Sequence, residues 1–234
     1  MKRTEIYTDG TYSRNNPDWD EADAIYKVNW LHQLLTRNKL SFQSVTEIGC
    51  GSGKVLKLLS ETLPGSIQFS GYDISPQAIQ YAKKNNGENI RVFHGDFLDP
   101  STPGADLIIM FDVVEHVADY YQFLEGLKNK GSYFAFHIPL DLCCRTLLKP
   151  HVMLQQRDAV GHIHYFSRDM VIWMLQDTGY VVLDWMYTKP IGDIANAATF
   201  KGWLKKNLRN LSFSINKNRS ADVWGGYSMM ILAR

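Results

Sequence analysis

Between residues 44 and 138 the chain alternates short apolar runs with stretches of helical spacing. Ser44 to Ile48, Ile67 to Tyr72, Ile90 to Phe93, Asp106 to Phe111 and Tyr133 to Ile138 have the length and side chains of buried strands. Lys54 to Leu63, Pro76 to Asn85 and Asp119 to Lys128 read as helices, the second opened by Ser75 as N-cap with Pro76 at the first helical position. Strand followed by helix, repeated, is the pattern of an α/β parallel sheet covered on both faces, and right-handed crossovers leave few topologies for it.

The flanks break that alternation. Ile25, Val28, Leu31 and Leu35 keep helical spacing from about Asp20 to Arg37, while Asp9-Gly10 and Asn15-Asn16-Pro17 predict a loop-rich arm before it. Ser167 can cap a helix reaching Asp177 and stopped by Gly179, followed by strands from Tyr180 to Tyr187 and from Tyr227 to Ala233. Two successive strands predict an antiparallel edge hairpin. The chain is therefore expected to hold an N-terminal arm and helix over residues 1–40 and one domain over 41–234, with insertions at 139–164 and 189–223.

Composition narrows the class. There are 25 Lys and Arg against 24 Asp and Glu among 234 residues, a balance that argues against nucleic-acid binding through bulk charge. The three cysteines, Cys50, Cys143 and Cys144, are odd in number and two are adjacent, so no disulfide framework is expected. With no apolar segment near the start and no run of 18 apolar residues, the expected setting is the cytoplasm, with no transmembrane segment.

The sharpest motif is Glu47-Ile48-Gly49-Cys50-Gly51-Ser52-Gly53, between a strand and a helix. Glycines there allow a tight turn and bring main-chain N–H groups close to a ligand. A dinucleotide fingerprint would place its third glycine where Lys54 stands, which disfavours a nicotinamide-dependent oxidoreductase. The spacing resembles motif I of the class I S-adenosylmethionine (SAM) methyltransferases. That resemblance implies a Rossmann-like, doubly wound, seven-stranded and mostly parallel sheet, with SAM as cofactor. Asp73, with Ile74 after it, ends the second strand, where a carboxylate can accept the ribose hydroxyls. Asp96 and Phe97 follow the third; the resemblance gives them the adenine amino group and ring. The implied cofactor residues are thus Glu47, Gly49, Gly51, Gly53, Asp73, Ile74, Asp96, Phe97, Asp112 and Val113.

The segment Asp112-Val113-Val114-Glu115-His116-Val117 resembles the Asp-x-x-Glu-His-Val stretch of small-molecule O-methyltransferases, including quinone-precursor enzymes. His116 could line the site and remove the acceptor's proton. Alternatively Asp112, Glu115 and His116 could bind a divalent metal, or Asp112 and Glu115 could form a helix capping box. No obligatory metal is expected. The Asn/Asp-Pro-Pro-Tyr signature of nucleobase amino-methyltransferases is missing here, which argues against DNA amino-methylation.

The decorations should shape the acceptor pocket. In Gly161-His162-Ile163-His164, alternation in an extended segment lets at most one histidine readily face it, so His162 and His164 join His116 as catalytic candidates. His137 reads as structural. The stretch Asn16-Pro17-Asp18-Trp19 with Glu21, Asp23 and Lys27 resembles the N-terminal segment of a group of bacterial class I methyltransferases, with Ala22 in place of that group's Glu. Tyr7, Tyr12 and Trp19 could form a lid that excludes water. From Ala195 to Ala221 there is no acid, while Lys201, Lys205, Lys206, Arg209, Lys217 and Arg219 are positive and Trp203, Leu204, Leu208 and Leu211 make an apolar stripe. That helix either packs its stripe on the domain or meets an anionic acceptor, a membrane surface or RNA. The expected reaction is methyl transfer to a small molecule, most simply an oxygen of a sugar or secondary metabolite. An RNA methyltransferase and a non-catalytic SAM-binding protein are the rivals.

Overall fold

A computed structural model describes residues 5–17, 19, 21–189 and 200–234. Its strands are β1 (Ser44–Ile48), β2 (Gln68–Asp73), β3 (Ile90–His94), β4 (Ala105–Phe111), β5 (Gly131–Pro139), β6 (Val182–Thr188) and β7 (Ser228–Ala233). They form one seven-stranded sheet in the order β3-β2-β1-β4-β5-β7-β6. The first five strands are parallel, and β7 lies between β5 and β6, antiparallel to both. β2 starts one residue later than its apolar run because the Ile67 N–H closes a turn onto the Pro64 carbonyl.

Both faces of the sheet are covered, which is why β4 reads as an unbroken apolar run. Leu107 and Ile109 face a layer with Leu31, Leu34, Leu56 and Leu59 from helices α3 (Glu21–Asn38) and α4 (Lys54–Thr62). Ile108 and Met110 face the opposite layer with Leu124 and Leu127 from α6 (Tyr120–Lys128) and Val171 and Leu175 from α9 (Arg168–Asp177). All four β4 side chains are fully buried. Truncating any of these leucines to alanine should cost about 2–5 kcal/mol.

The expected caps form. The Ser75 hydroxyl accepts from the Ala78 N–H at the start of α5 (Pro76–Ala82), and the Ser167 hydroxyl accepts from Met170 at the start of α9. The capping box that the spacing of Asp112 and Glu115 allows, one of the alternatives for this segment, does not form. Asp112 adopts φ +55 and a single 3₁₀ turn follows over Val114–His116, so both carboxylates are free to turn inward. The arm is not simply loop: α1 (Glu5–Thr8) and α2 (Thr11–Asn15) occupy it. Residues 139–164 contain α7 (Cys144–Leu147) and α8 (Pro150–Ala159). The second insertion contains α10 (Phe200–Ile215) and α11 (Lys217–Trp224), while its residues 190–199 lie outside the described ones, as do Asp18 and Asp20 of the arm. Among the described residues no helix is long and apolar enough to cross a membrane.

Candidate active site

The loops after β1 and β4 leave the sheet next to each other at its carboxyl edge, the crevice where open α/β sheets hold ligands. A cavity of about 680 Å³ opens there. It is lined by every sequence-predicted cofactor residue except Gly53, which turns instead against Ala82 at the foot of α4.

The glycine loop is fixed to β2 by its own backbone. Gly49 and Cys50 donate their N–H groups to the Tyr72 carbonyl at 2.8 and 3.1 Å. Gly49 needs its glycine twice over: φ is +71, and a Cβ would lie 2.7 Å from Val113 Cγ2 of the neighbouring loop. The Gly51 N–H donates to Asp73 Oδ2 (2.9 Å) and the Ser75 N–H to Oδ1 (2.8 Å), holding that carboxylate at the end of β2. Burial raises the Asp73 pKa, against the lowering effect of these two N–H donors. Each oxygen keeps a lone pair for a ribose hydroxyl. Asp96 is exposed and accepts from the Leu98 N–H at 2.9 Å, with Phe97 buried beneath it.

Glu47 ends up deep in the loop's base. It is buried, its Oε2 has no hydrogen-bond partner, and desolvation pushes its pKa well above the usual carboxylate range despite the Lys27 charge. An acceptor left without a donor beside a cavity suits a cationic ligand group.

Asp112 is held by other side chains. Lys27 Nζ lies 2.6 Å from its Oδ2 and His137 Nδ1 2.7 Å from its Oδ1, with His137 Nε2 hydrogen-bonded to Thr188 Oγ1 at 3.0 Å. Burial would raise its pKa, but the lysine and histidine overcome that and hold it far below the ordinary value. Lys27, His137 and Thr188 all line the cavity, so they are site residues to which the sequence gave no site role. The signal for Lys27 was its place in the arm motif; His137 gave none, because strand burial and site lining look alike in a strand.

Beyond Asp112 the cavity is closed by histidines. His116 Nδ1 lies 2.8 Å from the Tyr7 hydroxyl, which also donates to the Val160 carbonyl at 3.2 Å. Its ring meets the His162 ring edge to face at 4.9 Å between centroids. Burial, then the neighbouring His162, lowers the His116 pKa to about 4. His162 Nδ1 is hydrogen-bonded to Asp141 Oδ2 at 3.0 Å, and its Nε2 lies 3.9 Å from Glu115 Oε1. Glu115 is fully buried with neither oxygen hydrogen-bonded, and desolvation, then the Asp112 charge, raises its pKa well above the ordinary value. His164 does not join this group: its Nε2 is hydrogen-bonded to the Val117 carbonyl at 2.9 Å and its ring packs on Tyr120. Glu115, His116 and His162 each offer a ligand atom within 4.8 Å of the others, so a cation could be held there, though not by the Asp112-Glu115-His116 set the sequence suggested.

The arm covers this end. Tyr7, Tyr12 and Trp19 pack in series, ring centroids 5.2 and 5.3 Å apart, and all three line the cavity.

A methyltransferase-domain family model matches residues 22–184, well over half of the chain, and the chain belongs to that family. That family is one of methyltransferase domains, whose cofactor is SAM. A ribosomal protein L11 methyltransferase of Clostridium botulinum is 30% identical over 95 residues, 39% of this chain and 30% of the relative. A malonyl-[acyl-carrier protein] O-methyltransferase of Neorickettsia risticii is 25% identical over 143 residues, 61% of this chain and 56% of the relative. The chain thus spans between about a third and about half the length of these curated relatives. Among solved structures, magnesium protoporphyrin IX methyltransferase from Synechocystis PCC 6803, with bound S-adenosylhomocysteine (SAH), shares the fold: TM-score 0.61, 14% identity, 99% of this chain and 96% of that one.

Proposed function

We propose that this protein methylates an oxygen of a small-molecule acceptor, a sugar or secondary metabolite, with His116 receiving the proton. The observation that carries the reading is the half-buried His116 at the end of the SAM cavity, oriented by Tyr7 and flanked by the His162–Asp141 pair, its pKa lowered to about 4. Asp73 takes the ribose, Asp96 and Phe97 the adenine, and Glu47 the methionine ammonium, with the glycine loop giving close backbone approach. Gly53 acts indirectly, by letting α4 start close to Ala82 of α5.

The reaction needs little beyond alignment. The acceptor oxygen attacks the methyl carbon, the carbon–sulfur bond breaks with its electron pair going to sulfur, and SAH leaves. The hydroxyl proton passes to His116, which a pKa near 4 keeps unprotonated at neutral pH. A base that weak favours acceptors whose own hydroxyl is acidic, or whose proton moves after attack has begun. No step requires a metal. Residues 1–40 act as a lid, Tyr7, Tyr12 and Trp19 keeping water from the sulfonium, and residues 139–164 shape the acceptor end.

The cavity's volume falls within the roughly 300–1,000 Å³ usual for small-molecule sites. The curated relatives support methyl transfer but differ in acceptor, a carrier-bound malonyl group in one and a ribosomal protein in the other. SAH release from SAM across hydroxyl, carboxyl and amine acceptors tests the proposal. Turnover on hydroxyls that falls by about 10²-fold or more in His116→Ala is expected. Turnover confined to carboxyl or amine acceptors, or to RNA, would replace it, and SAH binding with no transfer to any acceptor would favour a SAM-binding scaffold.

A further inference from the structure

Helix α10 is amphipathic in the wrong sense for a helix that only packs on its own domain. Leu204, Leu208, Leu211 and Ile215 recur at helical spacing and are 44%, 46%, 60% and 78% exposed, with Trp203 beside them. The opposite face presents the buried Arg209, whose Nη1 donates to the Gly225 carbonyl and whose guanidinium lies over the Tyr227 ring. The apolar stripe is therefore turned to solvent, so of the readings open for this segment the one that packs the stripe on the domain does not hold.

A second element extends the same surface. Leu147 and Leu148, at the end of α7, are 61% and 83% exposed. Arg145 and Lys149 next to them lie near enough to Lys205 on α10 for their charges to bear on it, and α7 packs on α11. Besides the buried Arg209, segments 144–157 and 200–221 hold eight of the 25 Lys and Arg residues and none of the 24 Asp and Glu, with Asp158 and Asp222 just beyond them. A nearly neutral protein thus gathers Arg145, Lys149 and Lys205 beside an exposed apolar tip.

We propose that this face, α10 with the end of α7, seats the protein on an anionic lipid bilayer surface. The occupant follows from shape and charge. Side chains as exposed as Leu148 and Ile215 stand out from the surface instead of lining a groove, and a bilayer interface accepts protruding leucines, isoleucine and tryptophan where a protein partner would have to supply a matching concavity. The surrounding lysines and arginines meet anionic headgroups. A second copy of the chain is disfavoured because the two cationic faces would repel, and RNA has no use for an aliphatic stripe. This proposal stands independently of the acceptor assigned above.

The test is co-sedimentation of the full chain with vesicles of phosphatidylcholine alone and of an equimolar mixture with phosphatidylglycerol, at low and high salt, with SAH affinity measured in parallel. Binding to the anionic vesicles, weakened by salt, is expected. Leu208→Asp/Leu211→Asp should weaken it roughly tenfold or more through the lost apolar contact. Lys149→Glu/Lys205→Glu should do so to a similar extent, on the order of tenfold, through charge. Both variants should bind SAH like the parent, which separates loss of the surface from loss of the fold or of the cofactor site. No sedimentation with anionic vesicles, or equal sedimentation of parent and variants, would overturn the proposal. So would binding to polyglutamate without binding to vesicles, which would assign the face to an acidic protein, or a dimer abolished by the same variants.

Discussion

Replacing glycines in the loop after β1 by alanine separates backbone strain from steric conflict and from ligand exclusion. At Gly49 both penalties apply in the protein alone. The left-handed φ of +71 costs an alanine about 1–2 kcal/mol. The new methyl would also sit 2.7 Å from Val113 Cγ2, and forcing extra volume into a packed junction costs about 1–3 kcal/mol more. The sum, about 2–5 kcal/mol, is a large part of an ordinary domain's stability. At Gly51 φ is +49 but the nearest atom a Cβ would meet is Trp19 Cε3 at 3.8 Å, inside the cavity. Gly51→Ala should therefore lose only the backbone cost, about 1–2 kcal/mol, while its methyl intrudes on bound cofactor. Gly65 has a free exterior and serves as the neutral control, within about 0.5 kcal/mol of the parent. Urea unfolding and SAH calorimetry read the two effects. The expected order of stability is Gly65→Ala, then Gly51→Ala, then Gly49→Ala, with SAH affinity at Gly51→Ala reduced about tenfold or more, a loss of at least 1.4 kcal/mol. Equal stability of the Gly49 and Gly65 variants, or unchanged SAH binding by Gly51→Ala, would refute the account of this loop.

Other perturbations address the groups around the cavity. Lys27→Met removes the lysine charge at Asp112 and should destabilise by about 3 kcal/mol, less as the His137 hydrogen bond compensates; chemical unfolding measures it, and Lys27→Arg should restore most of the loss. Glu47 has a raised pKa, so its neutral form is favoured by folding and its burial destabilises more as pH rises through the folded value. Glu47→Gln should hence raise the melting temperature at pH 8 while weakening SAH binding, and a variant less stable at that pH contradicts the assignment. His116 has a lowered pKa, so lowering the pH from about 6.5 towards 4 progressively favours the unfolded chain, which binds the proton more readily. Turnover should correspondingly show no loss centred at pH 6.5, and a pH–rate profile with an acid limb there would remove His116 as the base. Chelation should leave turnover intact, and activity lost to a chelator and restored by a divalent cation would reassign Glu115, His116 and His162 as ligands.

The sheet was legible because its strands are buried on both faces, so Ser44 to Ile48 and the β4 run stand out whatever surrounds them. Cavity lining by Asp73 and Asp96 was legible for a related reason: residues that end parallel strands share one edge of the sheet. What the sequence hid depends on contacts between distant segments. Asp112 and Glu115 have the spacing of a capping box, and only the tertiary pull of Lys27 and His137 on Asp112, 85 and 25 residues away in the chain, draws the first into the site. The two histidines of the Gly161–His164 segment were separable only by their partners, Asp141 for His162 and the Val117 carbonyl for His164. The outward stripe of α10 was equally hidden, since periodicity gives the existence of an apolar face and not its direction.

The proposed chemistry rests on where the sulfur of the cofactor product lies relative to the histidines. A crystal structure of the SAH complex measures this directly. The account predicts the ribose hydroxyls on Asp73, the ammonium on Glu47, and the sulfur turned towards the Tyr7, His116 and His162 end with room for an acceptor oxygen between. SAH seated with its sulfur turned away from His116, or with its ribose off Asp73, would contradict it.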